Sequence, residues 1–108
     1  MKPLNIFILA ASPLLLFLEC DTRAQSEGEL PAAAEPWLAE EGDWAARYNQ
    51  AQIACHEGSM KACDSIWMDD RVLMDTFLYN FGRTCGGRVD LRAIRREGLT
   101  CAEAFPGH

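Results

Sequence analysis

The chain has 108 residues, room for one small domain, and its 16 acidic against 10 basic side chains give a net charge of −6. That balance disfavours nonspecific nucleic-acid binding, which needs lysine and arginine to displace counterions from phosphate. No repeat of 20–50 residues is present, which excludes a tandem solenoid.

The first segment, MKPLNIFILAASPLLLFLECDTRAQS, has Lys2 followed by an apolar run from Leu4 to Leu18. A run of about fifteen residues has signal-peptide length and is short for a ~30 Å bilayer core. Thr22-Arg23-Ala24 sets small residues at the first and third positions before a cut. Residues 1–24 therefore read as a signal peptide cleaved after Ala24, leaving a secreted or periplasmic chain without a membrane segment. The alternatives are an uncleaved N-terminal anchor and a lipid-anchored envelope protein acylated at Cys20. Leu18-Glu19 before that cysteine depart from the small residues a lipobox requires.

Cleavage also changes the cysteine count. Of five cysteines, Cys20 would leave with the signal peptide, and Cys55, Cys63, Cys85 and Cys101 would remain. An even number in a short exported chain reads as two disulfides.

Residues 25–42 begin QSEGELPAAAEP, rich in Glu, Ala and Pro and lacking an apolar period. They read as a flexible acidic lead-in. Charge shifts along the chain, from −6 over residues 25–46 to +2 over residues 83–108. An acidic arm and a basic tail suit each other or two different partners.

Residues 43–108 read as an all-α, disulfide-stapled domain of about four short helices. Asp43 caps the first, in which Trp44, Tyr48, Ala51 and Cys55 recur at helical spacing, and Gly58 ends it. Ser59 caps the second, with Met60, Cys63, Ile66 and Trp67 on one side. The third spans DRVLMDTFLYNF, capped by Asp70, with Leu73, Phe77 and Phe81 as its apolar stripe, and stops at Gly82. Asp90 and Gly98 bracket DLRAIRREG. A short terminal turn opens on the capping-box pair Thr100 and Glu103 and closes before Pro106. Trp44, Trp67, Phe77, Tyr79 and Phe81 are assigned to the core.

Cys55 and Cys63 lie eight positions apart, about 12 Å along one continuous helix at 1.5 Å per residue. A disulfide needs its Cα atoms within about 7 Å. The Gly58-Ser59 break folds the two helices back and turns both cysteines to the inside of the hairpin. Four cysteines still allow three pairings.

The stretch ACHEGSMKACDSIW resembles the helical hairpin of cysteine-rich Sel1-like repeats, relatives of the tetratricopeptide repeats, over residues 45–67. That resemblance implies a Cys55–Cys63 disulfide between antiparallel helices and a protein-interaction role. Cys85 and Cys101 would then form the second bond. Together with TCGGR at 84–88, the chain is also similar to small exported bacterial proteins with an AC-D…TCGGR layout, which implies the framework and no activity.

Sharper chemistry finds little support. Haem attachment needs C-x-x-C-H, and a redox pair of thioredoxin type needs C-x-x-C in a βαβ setting; neither motif occurs. A zinc site from Cys55, His56, Cys63 and His108 is opposed by geometry, because adjacent helical residues point about 100° apart and oxidation competes for the thiols. For hydrolysis, Ser59 or Ser65 has only His56 and His108 as bases, and Asp64, Asp69, Asp70 and Asp75 read as caps and solvated charge. No catalytic residue, metal or cofactor is assigned. The best surface is Arg88, Arg92, Arg95 and Arg96, whose guanidinium groups suit a protein or other acidic macromolecular partner. The sequence thus favours a small exported non-catalytic binding protein over a secreted hydrolase or other enzyme.

Overall fold

Five α-helices and two 3₁₀ turns carry the chain from Trp44 to Ala104. The computed structural model describes residues 28–108, among which no strand occurs; the expected signal peptide, residues 1–24, and Cys20 lie outside them. A 3₁₀ turn over Trp44–Tyr48 runs directly into α1 (Asn49–His56), and α2 (Met60–Trp67) follows. A second 3₁₀ turn, Asp70–Val72, leads to α3 (Thr76–Arg83), then α4 (Leu91–Glu97) and α5 (Cys101–Ala104). None of these helices is long and apolar enough to cross a membrane.

The starts are set by side chains that satisfy otherwise unpaired backbone N–H groups, each worth about 1 kcal/mol. Asp43, Ser59 and Asp90 accept from the amides of Ala45, Ala62 and Ala93. Thr100 and Glu103 form the reciprocal capping box. Gly98 ends α4 in the left-handed region at φ 69°.

The third helix differs from its expectation. Asp69 caps the 3₁₀ turn, Asp75 caps α3 by accepting from Leu78 N at 3.0 Å, and Asp70 caps nothing. Two capping aspartates six positions apart restart the helix, so its period begins at residue 76. Leu73 and Phe77 consequently face outward, while Val72, Leu78 and Phe81 are buried. The helix also runs past Gly82 to Arg83, because Gly82 is a contact and not a stop. A Cβ there would lie 2.8 Å from the Cys63 carbonyl oxygen and 2.9 Å from Trp67 N, so only glycine lets α3 approach α2 this closely.

The buried cluster joins Tyr48, Cys55, Met60, Cys63, Ile66, Val72, Leu78, Phe81, Ile94 and Cys101. Both expected disulfides are formed, Cys55–Cys63 with Cα atoms 4.8 Å apart and Cys85–Cys101 with 5.5 Å. Closing such short loops stabilises a chain by roughly 2.5–3 kcal/mol each in the chain-entropy model. A domain this small cannot reach ordinary stability on its apolar core alone, so the two bonds are a principal part of what holds it.

Part of the lead-in expected to be flexible, residues 25–42, makes defined contacts with the helical domain. Residues 30–39 lie extended across the end of α1 and the turn after α3. Ala34 N donates to Gly86 O at 2.8 Å, and the Asn49 amide holds both backbone groups of Ala39, at 2.9 and 2.8 Å. Leu30 packs against the core, and Ala34 sits so close to Gly87 that a Cβ there would be 2.5 Å from the alanine methyl. The segment is held mainly through its backbone, which leaves no periodic apolar signature in its side chains.

Candidate binding surface

The motif residues point inward. Asp64, next to Cys63, accepts hydrogen bonds from Cys101 N at 2.8 Å, Ala102 N at 3.0 Å and the Trp67 indole N–H at 2.8 Å. A buried carboxylate from α2 thus closes the N-terminus of α5 beside the second disulfide. The Arg83 guanidinium lies 4.3 Å above the Trp67 ring and donates to Leu99 O at 2.8 Å, just past the end of α4.

The TCGGR turn makes the second inward clamp. Cys85, Gly86 and Gly87 have φ of 58°, 71° and 82°, three successive residues in the left-handed region. Glycine accepts that conformation freely; Cys85 adopts it at a cost. Thr84 Oγ1 accepts from Gly87 N at 3.1 Å and steadies the turn. The chain then returns Arg88 to the C-terminus of α1, where it donates to Cys55 O at 2.9 Å and His56 O at 2.8 Å. It also reaches Cys85 O and, in the lead-in, Pro31 O at 3.2 Å. A cation on the last carbonyls of a helix also opposes the negative pole of the helix dipole. Burial lowers the Arg88 pKa.

Arg88 therefore leaves the expected patch. Arg92, Arg95 and Arg96 remain on α4, all exposed. Among the described residues the one ion pair is Asp69–Arg71, so none of these three arginines pairs with a carboxylate there.

The residues weighed for catalysis are likewise engaged in structure. Ser59 Oγ accepts from Ala62 N, and Ser65 Oγ donates to Ala62 O. His56 Nδ1 is 2.9 Å from the Ala34 carbonyl oxygen, which only accepts, so this nitrogen carries the proton. Among the described residues no serine hydrogen-bonds to a histidine, and the sulfurs of Cys55 and Cys63 are bonded to each other. Asp69 accepts from the Tyr48 hydroxyl at 2.8 Å and from Arg71 through two side-chain bonds. These donors, Arg71 first, hold the Asp69 carboxyl well below the usual carboxylate range. Burial, with Asp69 second, raises the Tyr48 phenol.

Several large apolar side chains stay at the surface instead. Trp44 and Phe77, assigned to the core from sequence, are 44% and 40% exposed; Trp37 is 67% and Met74 93% exposed. Trp37 meets Phe77 edge-on with ring centroids 5.1 Å apart. Trp37, Leu38 and Trp44 line an open cavity of about 440 Å³ together with Glu40, Asp43 and Asp75. The lead-in thus contributes one wall and the helical domain the other. Sequence reasoning missed Trp37, Leu38 and Glu40 because the segment was read as unattached; the one available signal was Trp37-Leu38, two large apolar side chains in a Pro/Ala-rich run.

Comparison of the chain with family models, with curated proteins and with solved structures gives no match.

Proposed function

We propose that this chain is a small exported, non-catalytic module that binds another protein at the cell envelope or outside the cell. One observation carries the reading: in a domain whose cysteines, buried aspartate and two of its arginines all serve the fold, Trp37, Trp44, Phe77 and Met74 stay at the surface. Tryptophan, phenylalanine and methionine are enriched in interface cores, and an exposed apolar group of this kind on a small domain marks an interaction site. The two disulfides suit an oxidising compartment, in keeping with the signal-like segment at residues 1–24. The likeness of residues 45–67 to Sel1-like hairpins agrees with an interaction role.

The test replaces Met74 with a photo-crosslinking residue in the full chain, expressed in the producing cell. A discrete adduct in the exported fraction, lost when Trp37→Ser and Trp44→Ser are added, is the expected result. An exported chain that never crosslinks beyond background would sink the proposal. Intact mass of the same material separates a chain starting at Gln25 from one starting at an acylated Cys20.

A second surface rests on the exposed guanidinium groups of Arg92, Arg95 and Arg96, which suit an acidic partner. Reversing the three charges together should leave folding intact and abolish any adduct formed from α4; an unchanged adduct removes this surface from consideration.

A further inference from the structure

We propose that the cavity between Trp37 and Trp44 seats a basic side chain, arginine or lysine, carried on an apolar segment of the partner protein. The inference rests on the binding-surface reading above and names the chemistry of its occupant.

Charge and shape both favour a cation. The cavity is lined by three carboxylates, Glu40, Asp43 and Asp75, and by no lysine, arginine or histidine. Asp43 and Asp75 each use Oδ1 to cap a helix start, and their Oδ2 atoms have no hydrogen-bond donor among the described residues. The capping bonds fix both carboxylates in place, so a bound guanidinium or ammonium meets acceptors that need no reordering. Tryptophan faces attract cations through the ring quadrupole, by about 0.5–1 kcal/mol at exposed sites and ~2 kcal/mol when water is excluded. The surrounding region adds to this, since residues 25–46 carry six acidic side chains and no basic one. The apolar part of the occupant is set by Leu38 within the cavity and by Phe77 beside Trp37. A purely apolar segment would strip water from carboxylates without replacing it, which is costly.

The experiment uses the full chain with both disulfides intact and isotope-labelled, so that the three indole N–H signals of Trp37, Trp44 and Trp67 are followed separately. The probes are a short leucine–arginine peptide and its counterpart in which citrulline replaces arginine, keeping shape and removing charge. The arginine peptide should move the Trp37 and Trp44 signals and leave Trp67, whose N–H is held by Asp64, in place. The citrulline peptide should bind about tenfold more weakly, the equivalent of ~1.4 kcal/mol. Trp37→Ala should remove the response. Glu40→Gln, which touches no helix cap, should weaken it severalfold.

Equal responses to the two peptides would overturn the cation seat while leaving the binding surface standing. No movement of either indole with either peptide would overturn it too, whereas the crosslinking result decides the broader reading separately. If the same two signals move when the chain alone is concentrated, a second copy is the occupant and the proposal fails.

Discussion

The region around Cys85, Arg88 and Asp64 and the face around Trp37 and Trp44 treat their polar groups in opposite ways. In the first, each carboxylate or guanidinium closes a helix end: Asp64 at the start of α5, Arg83 near the end of α4, Arg88 at the end of α1. In the second, Asp43 and Asp75 cap helices with one oxygen and line a cavity together with the exposed Trp37 and Trp44. The lesson is that the chemically distinctive motifs of a small disulfide-stapled domain can belong wholly to its framework. Large side chains that a sequence reading assigns to the core, Trp44 and Phe77, can then lie at the surface.

The comparison breaks most readily at the disulfides. Replacing Cys85 and Cys101 by serine should cost about 3 kcal/mol in urea unfolding, and a loss under ~1 kcal/mol would mean that the inner region does not depend on its staples. Next is Arg88. Arg88→Ala leaves the carbonyls of His56, Cys85 and Pro31 without the guanidinium donor, while Cys55 O keeps Gly58 N, and should cost about 2 kcal/mol. Arg88→Lys should recover little, because a point charge cannot serve four carbonyls in fixed directions; hydrogen exchange at Ala34 N should quicken in both variants.

Gln52 sharpens the contrast with the opposite sign. It is fully buried on α1, and neither its Oε1 nor its Nε2 has a hydrogen-bond partner. Gln52→Leu removes an uncompensated buried amide and should raise stability by about 1–2 kcal/mol. A variant less stable than the original would show that the amide does have a partner. On the outer face, Trp44→Ser should change stability by no more than about 0.5–1 kcal/mol while removing binding, a separation that thermal melting and the peptide titration read together.

The smallest effect is electrostatic. The Asp69 carboxyl is held below its ordinary value by Arg71 and Tyr48, so the unfolded chain takes up the proton first as pH falls. Its contribution is therefore complete above the unfolded carboxylate pKa near 4 and fades as acid is added below it. Asp69→Asn should flatten the acid limb of a stability-against-pH curve, and an unchanged limb would remove the cluster from the account.

Much of the helical framework was legible, for reasons that are local. Asp43, Ser59, Asp90 and the Thr100–Glu103 pair announce helix starts because a capping bond spans two or three residues, whereas the residues alone left three disulfide pairings open and the pairing formed is the one the likeness to Sel1-like hairpins implied. What was misread depends on distant partners. Three of the four carbonyls that hold Arg88 lie 32 to 57 positions away, so its spacing with Arg92, Arg95 and Arg96 did not show that it turns away from them. The lead-in bonds through its backbone, which residue types do not encode, and Asp70 looked as good a cap as Asp69 or Asp75. Trp44 and Phe77 were placed inside because large aromatic residues at helical spacing usually pack there; the restart of α3 at Asp75 turned Phe77 outward.

The bond from Arg88 to Pro31 carries a consequence for the order of assembly. A chain made from its N-terminus presents residues 30–39 first, but Gly86 and Arg88, which bond Ala34 and Pro31, come fifty-odd residues later. The α1–α2 hairpin can close and oxidise as soon as Cys63 emerges. Asn49 and His56 can hold Ala39 and Ala34 early, but the bonds to Ala34 N and Pro31 O wait for the TCGGR turn. The Trp37 wall of the aromatic cavity meets Asp75 and Phe77 only once α3 has been made, so that surface is complete later than the α1–α2 hairpin.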